Sequence, residues 1–310
     1  MVNTQLIRRF HKYLVTFCSF FIINDSCAFA SNSPSDTTRT SNQKEAQLFI
    51  DNIKELKASP FWPGIKPADF LQNVRNNINT PLALYEGSYT NFCGYAVLSY
   101  LSLHDDPLGY ARNMLQLYEH GKVKWGKSSL SPSLAVRQAA GTFKFKGALD
   151  IHPADQLLFL SLADHFKGYL NIFSKNYKPG RENTFWASVN YAKFNRMARD
   201  LFNYKVDARG TDLLHPRIHD LFSYIKEKLS TGTTVLYLNN QYLNKKSGIA
   251  LRPGVPTHYV VLLEMQKSDD LINIIYWDYG FRSLRQISPK FLKKIVFGVT
   301  HCTLKKHDDK

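Results

Sequence analysis

Apolar positions along this chain recur first with a helical period and then with a strand period. From Gln43, the residues Ala46, Phe49, Ile50, Ile53 and Leu56 fall on one helical stripe. Pro60, Pro63 and Pro67 interrupt the chain, residues 68–78 return to the helical pattern, and 80–90 read as loop. A run over 94–103 predicts a buried helix. Asp106-Pro107 reads as an N-cap followed by proline at the first helical position, with Leu108, Ala111, Leu115 and Tyr118 on one face and Gly121 as the stop. Ser131-Pro132 repeats that start signal, 153–166 is strongly apolar, and 185–202 predicts one long helix. Pro216 opens another, with Ile218, Leu221, Phe222, Ile225 and Leu229 on its stripe and Gly232 beyond its end.

After Gly232 the period changes to that of strands. Residues 233–238, 258–265 and 271–277 are β-branched-rich apolar runs, 281–287 is a short fourth strand, Ser288-Pro289 opens a short helix, and 295–304 is the last strand. Helices first and antiparallel strands last predict an α+β fold. The runs from His258 and from Leu271 flank the polar segment Gln266-Lys-Ser-Asp-Asp270, which predicts a hairpin. A turn centred on Ser268 pairs residues whose numbers sum to 536 and sets His258 opposite Asp278 on one face. Their Cβ atoms would then stand roughly 5 Å apart.

The N-terminus reads as an export signal. Arg8, Arg9 and Lys12 precede the apolar run 14–23, and Ala28-Phe29-Ala30 is an A-x-A cleavage site. The expected organisation is a signal peptide over 1–30, a disordered polar linker over 31–42, and one domain over 43–310, helical over about 43–232 and sheet-forming over about 233–310. Ten apolar residues are too few to span a bilayer, so no stable membrane span is expected. The chain carries a formal charge of +15. Residues 1–30 hold Arg8, Arg9, Lys12 and Asp25, a net +2, which leaves +13 on residues 31–310. That excess favours contact with an anionic envelope surface, although Lys and Arg are scattered and no nucleic-acid motif accompanies them.

Four cysteines are present, and only Cys93 and Cys302 lie beyond residue 30. In an exported chain these two have a structural alternative, a disulfide with each other. Cys93 precedes Gly94 and the apolar helix, where the helix dipole favours a thiolate. Its alternative role is that of a small buried apolar residue. His258 opens a strand at a sheet margin, whereas His104, His120, His165 and His219 lie on helices or at their ends. Asp278 closes the opposing strand and is suited to fix the tautomer of an imidazole, or alternatively to cap the turn at Gly280. Cys, His and Asp are also zinc-ligand types, but neither a C-x₂-C nor an H-x₃-H spacing accompanies them, so neither metal nor other cofactor is expected.

Cys93 at a helix start, a helical block, a strand, then His258-Tyr-Val-Val-Leu and Tyr276-Trp-Asp278 resemble the papain-like cysteine peptidase superfamily, and within it the C39-like bacterial branch. The resemblance is carried by residues 91–101 and 233–304. It implies a helical lobe bearing the Cys, an antiparallel sheet bearing His and Asp, and amide hydrolysis through a thioester. That family places an oxyanion-hole Gln about six residues before its Cys, where this chain has Gly87. Asn91 and the Cys93 backbone N–H are the expected replacements. The catalytic set so expected is Cys93, His258, Asp278 and Asn91. The function expected is that of an exported thiol hydrolase, periplasmic or secreted, acting on a peptide, protein or peptidoglycan. A cell-wall amidase or endopeptidase, an acyl-transferring or deamidating toxin, and a non-catalytic binding protein on the same fold are the alternatives.

Overall fold

The computed structural model describes residues 40–87, 90–143, 151–168, 175–202, 204–240 and 256–305. The expected signal peptide and most of the expected linker lie outside the described residues. The linker's last three residues are tied to the domain: Thr40 N donates to Asp105 O at 2.9 Å and Ser41 Oγ to Asp106 Oδ1 at 2.6 Å. Asn42 then forms a reciprocal capping box with Glu45, so the helix α1 (Gln43–Asp51) begins on an N-cap that the polar composition of 31–42 had concealed.

Three further helices make the first layers. They are α2 (Pro67–Asn79), α3 (Cys93–Asp105) and α4 (Pro107–His120), and a 3₁₀ turn over Pro81–Ala83 follows α2. Residues 94 to 103 of α3 are all buried, which makes it the central helix of the molecule. Helix α4 starts as its sequence predicts, with Asp106 accepting from Gly109 N at 3.1 Å and Pro107 at the first position, and it ends on Gly121 in the left-handed region at φ 63°.

The middle of the chain departs from its apolar pattern in five places. A two-stranded ribbon, β1 (Val123–Trp125) with β2 (Ser128–Leu130), precedes α5, and α5 (Leu134–Ala139) starts after Ser133 rather than at Pro132. Helix α6 (Pro153–His165) lies where the apolar run put it. The long helix expected over 185–202 is only α7 (Tyr191–Leu201), because the Asn190 side chain accepts from Lys193 N at 2.7 Å and starts the helix there. The next segment is a strand, β3 (Tyr204–Gly210), and α8 (Leu221–Thr231) begins on the Asp220 cap rather than at Pro216.

The remaining elements are β4 (Thr233–Leu238), β5 (His258–Ser268), β6 (Leu271–Asp278), β7 (Phe281–Ile287), α9 (Pro289–Ile295) and β8 (Val296–Leu304). Six strands form one antiparallel sheet in the order β3-β8-β4-β5-β6-β7. The fold is therefore mixed α+β, with an antiparallel sheet that takes its edge strand β3 from the stretch read as helical. One sheet face, including Val235, Tyr237, Tyr259, Val261 and Trp277, joins the helical core. The other, including Leu236, Val260, Leu262 and Ile274, is covered by Leu221 and Ile225 of α8 and Leu292 and Ile295 of α9.

The hairpin register differs from the expected one. Ser268 pairs with Leu271, so the turn is the two residues Asp269-Asp270, with Asp269 at φ 52°. An irregularity between Leu262 and Glu264 then shifts the pairing, and Val261 stands opposite Trp277. Continued to the strand ends, that register sets Asp278 opposite Val260 and leaves His258 on a diagonal, two residues further out. The offset is even, so the two residues keep the same parity. Diagonal neighbours are roughly 7–8 Å apart at the backbone, still within reach of long side chains.

Trp277 fastens this strand to the chain that leads into the site. Its ring stacks on Tyr100 of α3 at 5.5 Å between centroids, and its Nε1 donates to Leu82 O at 2.8 Å. Trp277→Ala is expected to lower the unfolding free energy by about 3–5 kcal/mol in urea titration. A loss below about 1 kcal/mol would show that the indole is not a structural tie.

Candidate functional site

Glu86, Gly87 and residues 90–92 precede α3. Thr90 Oγ1 donates to Glu86 O at 2.6 Å, Thr90 N donates to Gly87 O at 3.2 Å, and Gly87 sits at φ 81°, where a side chain is disfavoured. Phe92 N donates to Thr90 Oγ1 at 3.3 Å, and Cys93 follows as the first residue of α3. The first-turn N–H groups of a helix have no partner within it, so the positive end of α3 is presented at the cysteine. The next residue must be small: a Cβ on Gly94 would lie 3.0 Å from Val189 Cβ. Cys93 is partly exposed, and its thiol is free. Cys302 is free as well, buried on β8, and its thiol is pushed up to about 12, mainly by burial.

His258 opens β5 in a buried position, with Thr257 N donating to Leu238 O at 3.0 Å beside it. Its ring is stacked by Tyr279 at 4.8 Å, and its Nε2 makes a short hydrogen bond to Asp278 Oδ1. Tyr279 and Gly280 both take positive φ in the tight turn into β7, which aims Asp278 back across the sheet margin. Burial alone would push the imidazole's pKa down. The charge and hydrogen bond of Cys93, together with the hydrogen bond from Asp278, outweigh burial and hold it well above its ordinary value. The structure thus joins His258, at a strand start, to Asp278, at a strand end, with Cys93 at a helix start near enough to raise the imidazole's pKa.

Asn91 is placed differently from its expected role. Its Nδ2 donates to Thr184 O and to Ser188 Oγ, both at 3.0 Å, so both amide protons are spent on the 184–188 turn. Its backbone N donates to Glu182 O at 2.8 Å. Asn91 therefore braces the loop before Cys93 and holds no side-chain N–H ready for an oxyanion. The brace continues inward. Lys193 Nζ donates to Tyr95 Oη at 2.7 Å and to Ser188 O at 3.1 Å, and burial, with neighbouring Arg196 and Lys167, brings this lysine down to about 7.

One acidic residue beside His258 escapes the sequence reading. Glu86 is 1% exposed, its Oε1 lies 3.6 Å from His258 Nε2, and among the described residues neither of its oxygens has a hydrogen-bond partner. Burial pushes its carboxyl up to about 8, with the charge of Asp278 adding to the rise and that of His258 opposing it. It stands one residue before the Gly87 that occupies the expected glutamine position. Its only signal was an acidic side chain between apolar Leu84-Tyr85 and a glycine.

Glu86, His258 and Asp278 have ligand-type atoms that all lie within 4.8 Å of one another. Nε2 and Oδ1 are in direct hydrogen-bond contact. The arrangement is that of a hydrogen-bonded imidazole with a second carboxyl beside it. Among the described residues, no helix is long and apolar enough to cross a membrane. No family model, curated protein or solved structure matches this chain.

Proposed function

We propose that this protein is a thiol hydrolase of papain-like type, near the C39-like branch, which cleaves a peptide or amide bond with Cys93, His258 and Asp278. The observation that carries the reading is an imidazole whose Nε2 is committed to Asp278 and whose pKa is raised by Cys93, at a helix N-terminus. Because Nε2 is occupied, Nδ1 is the nitrogen left to take the thiol proton. The thiolate then attacks the substrate carbonyl carbon, and the carbonyl π electrons move onto oxygen. The first-turn N–H of Cys93 stabilises that oxyanion. As the C–N bond breaks, His258 gives its proton to the leaving amine and a thioester remains. Water, losing a proton to His258, attacks the thioester and releases the acid and the thiol.

A cleft of about 480 Å³ with Phe143, Tyr177, Pro179 and Glu182 among its lining is the place this reading assigns to part of the substrate. Its Glu182 wall is joined to the Cys93 loop through Asn91 N. The reading includes export to the periplasm or medium by residues 1–30, and a peptide, protein or peptidoglycan substrate met near an anionic envelope, in keeping with the +13 charge of residues 31–310. A non-catalytic binding protein on the same fold is the second reading. It is favoured by one observation, that both side-chain protons of Asn91 are already taken.

Alkylation by iodoacetamide separates the two. Cys93 is expected to label rapidly well below pH 8.5, the ordinary range of a free thiol, and His258→Ala is expected to abolish that low-pH labelling. Slow labelling with an ordinary thiol profile in both proteins would sink the catalytic reading in favour of the binding one.

Asp278→Asn keeps the size of the side chain but removes the charge that supports the imidazolium. It is expected to cut the pH 6 alkylation rate by about ten-fold or more, the effect of one pKa unit at His258, with little change in melting temperature. An unaltered rate would remove Asp278 from the site.

A further inference from the structure

Glu86 brings a second carboxyl to the same imidazole nitrogen that Asp278 already holds. Its surroundings define which protonation state it keeps. It is buried, among the described residues it has no hydrogen-bond donor on either oxygen, and His258 Nε2 at 3.6 Å is already engaged. A bare carboxylate in such a place is costly, whereas the neutral acid loses far less on burial. The titratable groups around it are His258 from β5, Asp278 at the end of β6, Tyr279 from the turn that follows, and Cys93 across the imidazole. Of these, Asp278 is the one that opposes a second negative charge directly.

The number of charges on the Nε2 side decides how firmly His258 keeps its proton. With Asp278 alone, the imidazolium is supported, yet it can still surrender a proton to a leaving amine. With a second carboxylate 3.6 Å away, the imidazolium is held by two anions in a dry site. It then becomes a weaker acid, and the step that expels the amine slows. We propose that Glu86 is the charge regulator of this site: as a neutral acid it leaves His258 free to act, and as a carboxylate it locks the imidazolium in place. Glu86 touches no reacting atom and acts through His258, so it is a positioning residue. In the switch it gives its proton to water, and no other reactant is needed. The inference rests on the Cys93–His258 reading above.

The test is an NMR titration of ¹⁵N-histidine-labelled protein from pH 5 to 11, with the His258 signals assigned by comparison with His258→Asn. In the wild type, the His258 ring nitrogens are expected to show a first, small inflection near pH 8, where Glu86 ionises, before their own larger step. In Glu86→Gln, which keeps the shape of the neutral acid, the small inflection disappears. The large step moves down by about one to three pH units. A wild-type curve without the first inflection, or a Glu86→Gln curve whose large step stays in place, overturns the proposal and leaves Glu86 as buried packing. If Glu86→Gln does not fold, the wild-type curve alone decides. Cys93 alkylation run on the same samples keeps the two ideas apart. Coupling between Glu86 and His258 with alkylation indifferent to His258 would refute the thiol-site reading, whereas His258-dependent alkylation without coupling would refute only the role of Glu86.

Discussion

The desolvated imidazole of His258 is the constraint around which this site is organised. A buried histidine tends to lose its charge, because the low-dielectric interior disfavours the cation. Here two neighbours reverse that tendency, Cys93 from the start of α3 and Asp278 from the end of β6. Neither could do so without the backbone that delivers it. Gly94 lets the helix start lie against Val189, and the positive-φ pair Tyr279-Gly280 turns the strand directly after Asp278. Trp277 then ties that strand to Leu82, four residues before Glu86. Packing and electrostatics are thus linked through one short stretch of chain.

The sheet reaches this geometry by a route the apolar alternation does not disclose. Strand runs fix which residues pair with roughly which partners, but the register also depends on turn length and on bulges. The polar segment between β5 and β6 holds several residues that could centre a turn, and the structure uses Asp269-Asp270. The irregularity beside Leu263 then brings the register back to even parity. Without that correction the parity of every residue beyond it would be reversed, and His258 and Asp278 would face opposite sides. The two residues meet across a diagonal rather than face to face, and a long imidazole spans the difference.

Strong apolar periods with caps made much of the fold legible. Helices α1, α2, α3, α4 and α6 and strands β4 to β8 follow from such patterns. The failures have physical causes. Strand β3 reads Tyr-Lys-Val-Asp-Ala-Arg-Gly, and its charges suit an edge strand while erasing an apolar run. Helices α7 and α8 start where Asn190 and Asp220 cap them, and those caps outweighed the apolar residues upstream. Cys93, His258 and Asp278, the residues of the proposed site, drew notice in the sequence because each sits at the boundary of a strongly patterned element. Glu86 lies in a loop, where no period marks it, and its meaning comes only from what encloses it.

Asn91 and Glu86 together show why the seven residues before the cysteine carry more of the chemistry than their composition suggests. A hydrogen-bond donor near the thiol is needed for amide hydrolysis, and Asn91 is the polar side chain nearest to it in sequence. The fold spends that amide on Thr184 and Ser188, which anchors the loop but removes the donor. The same loop, held by the Thr90 hydroxyl on Glu86 O, buries an acid against the histidine instead. On the proposed reading, the loop gives up side-chain help for the oxyanion and gains a carboxyl whose protonation would set the acidity of the imidazole. Under the proposed hydrolase reading, the backbone N–H at the helix start would carry the oxyanion, and the charge balance around His258 would carry the proton transfers.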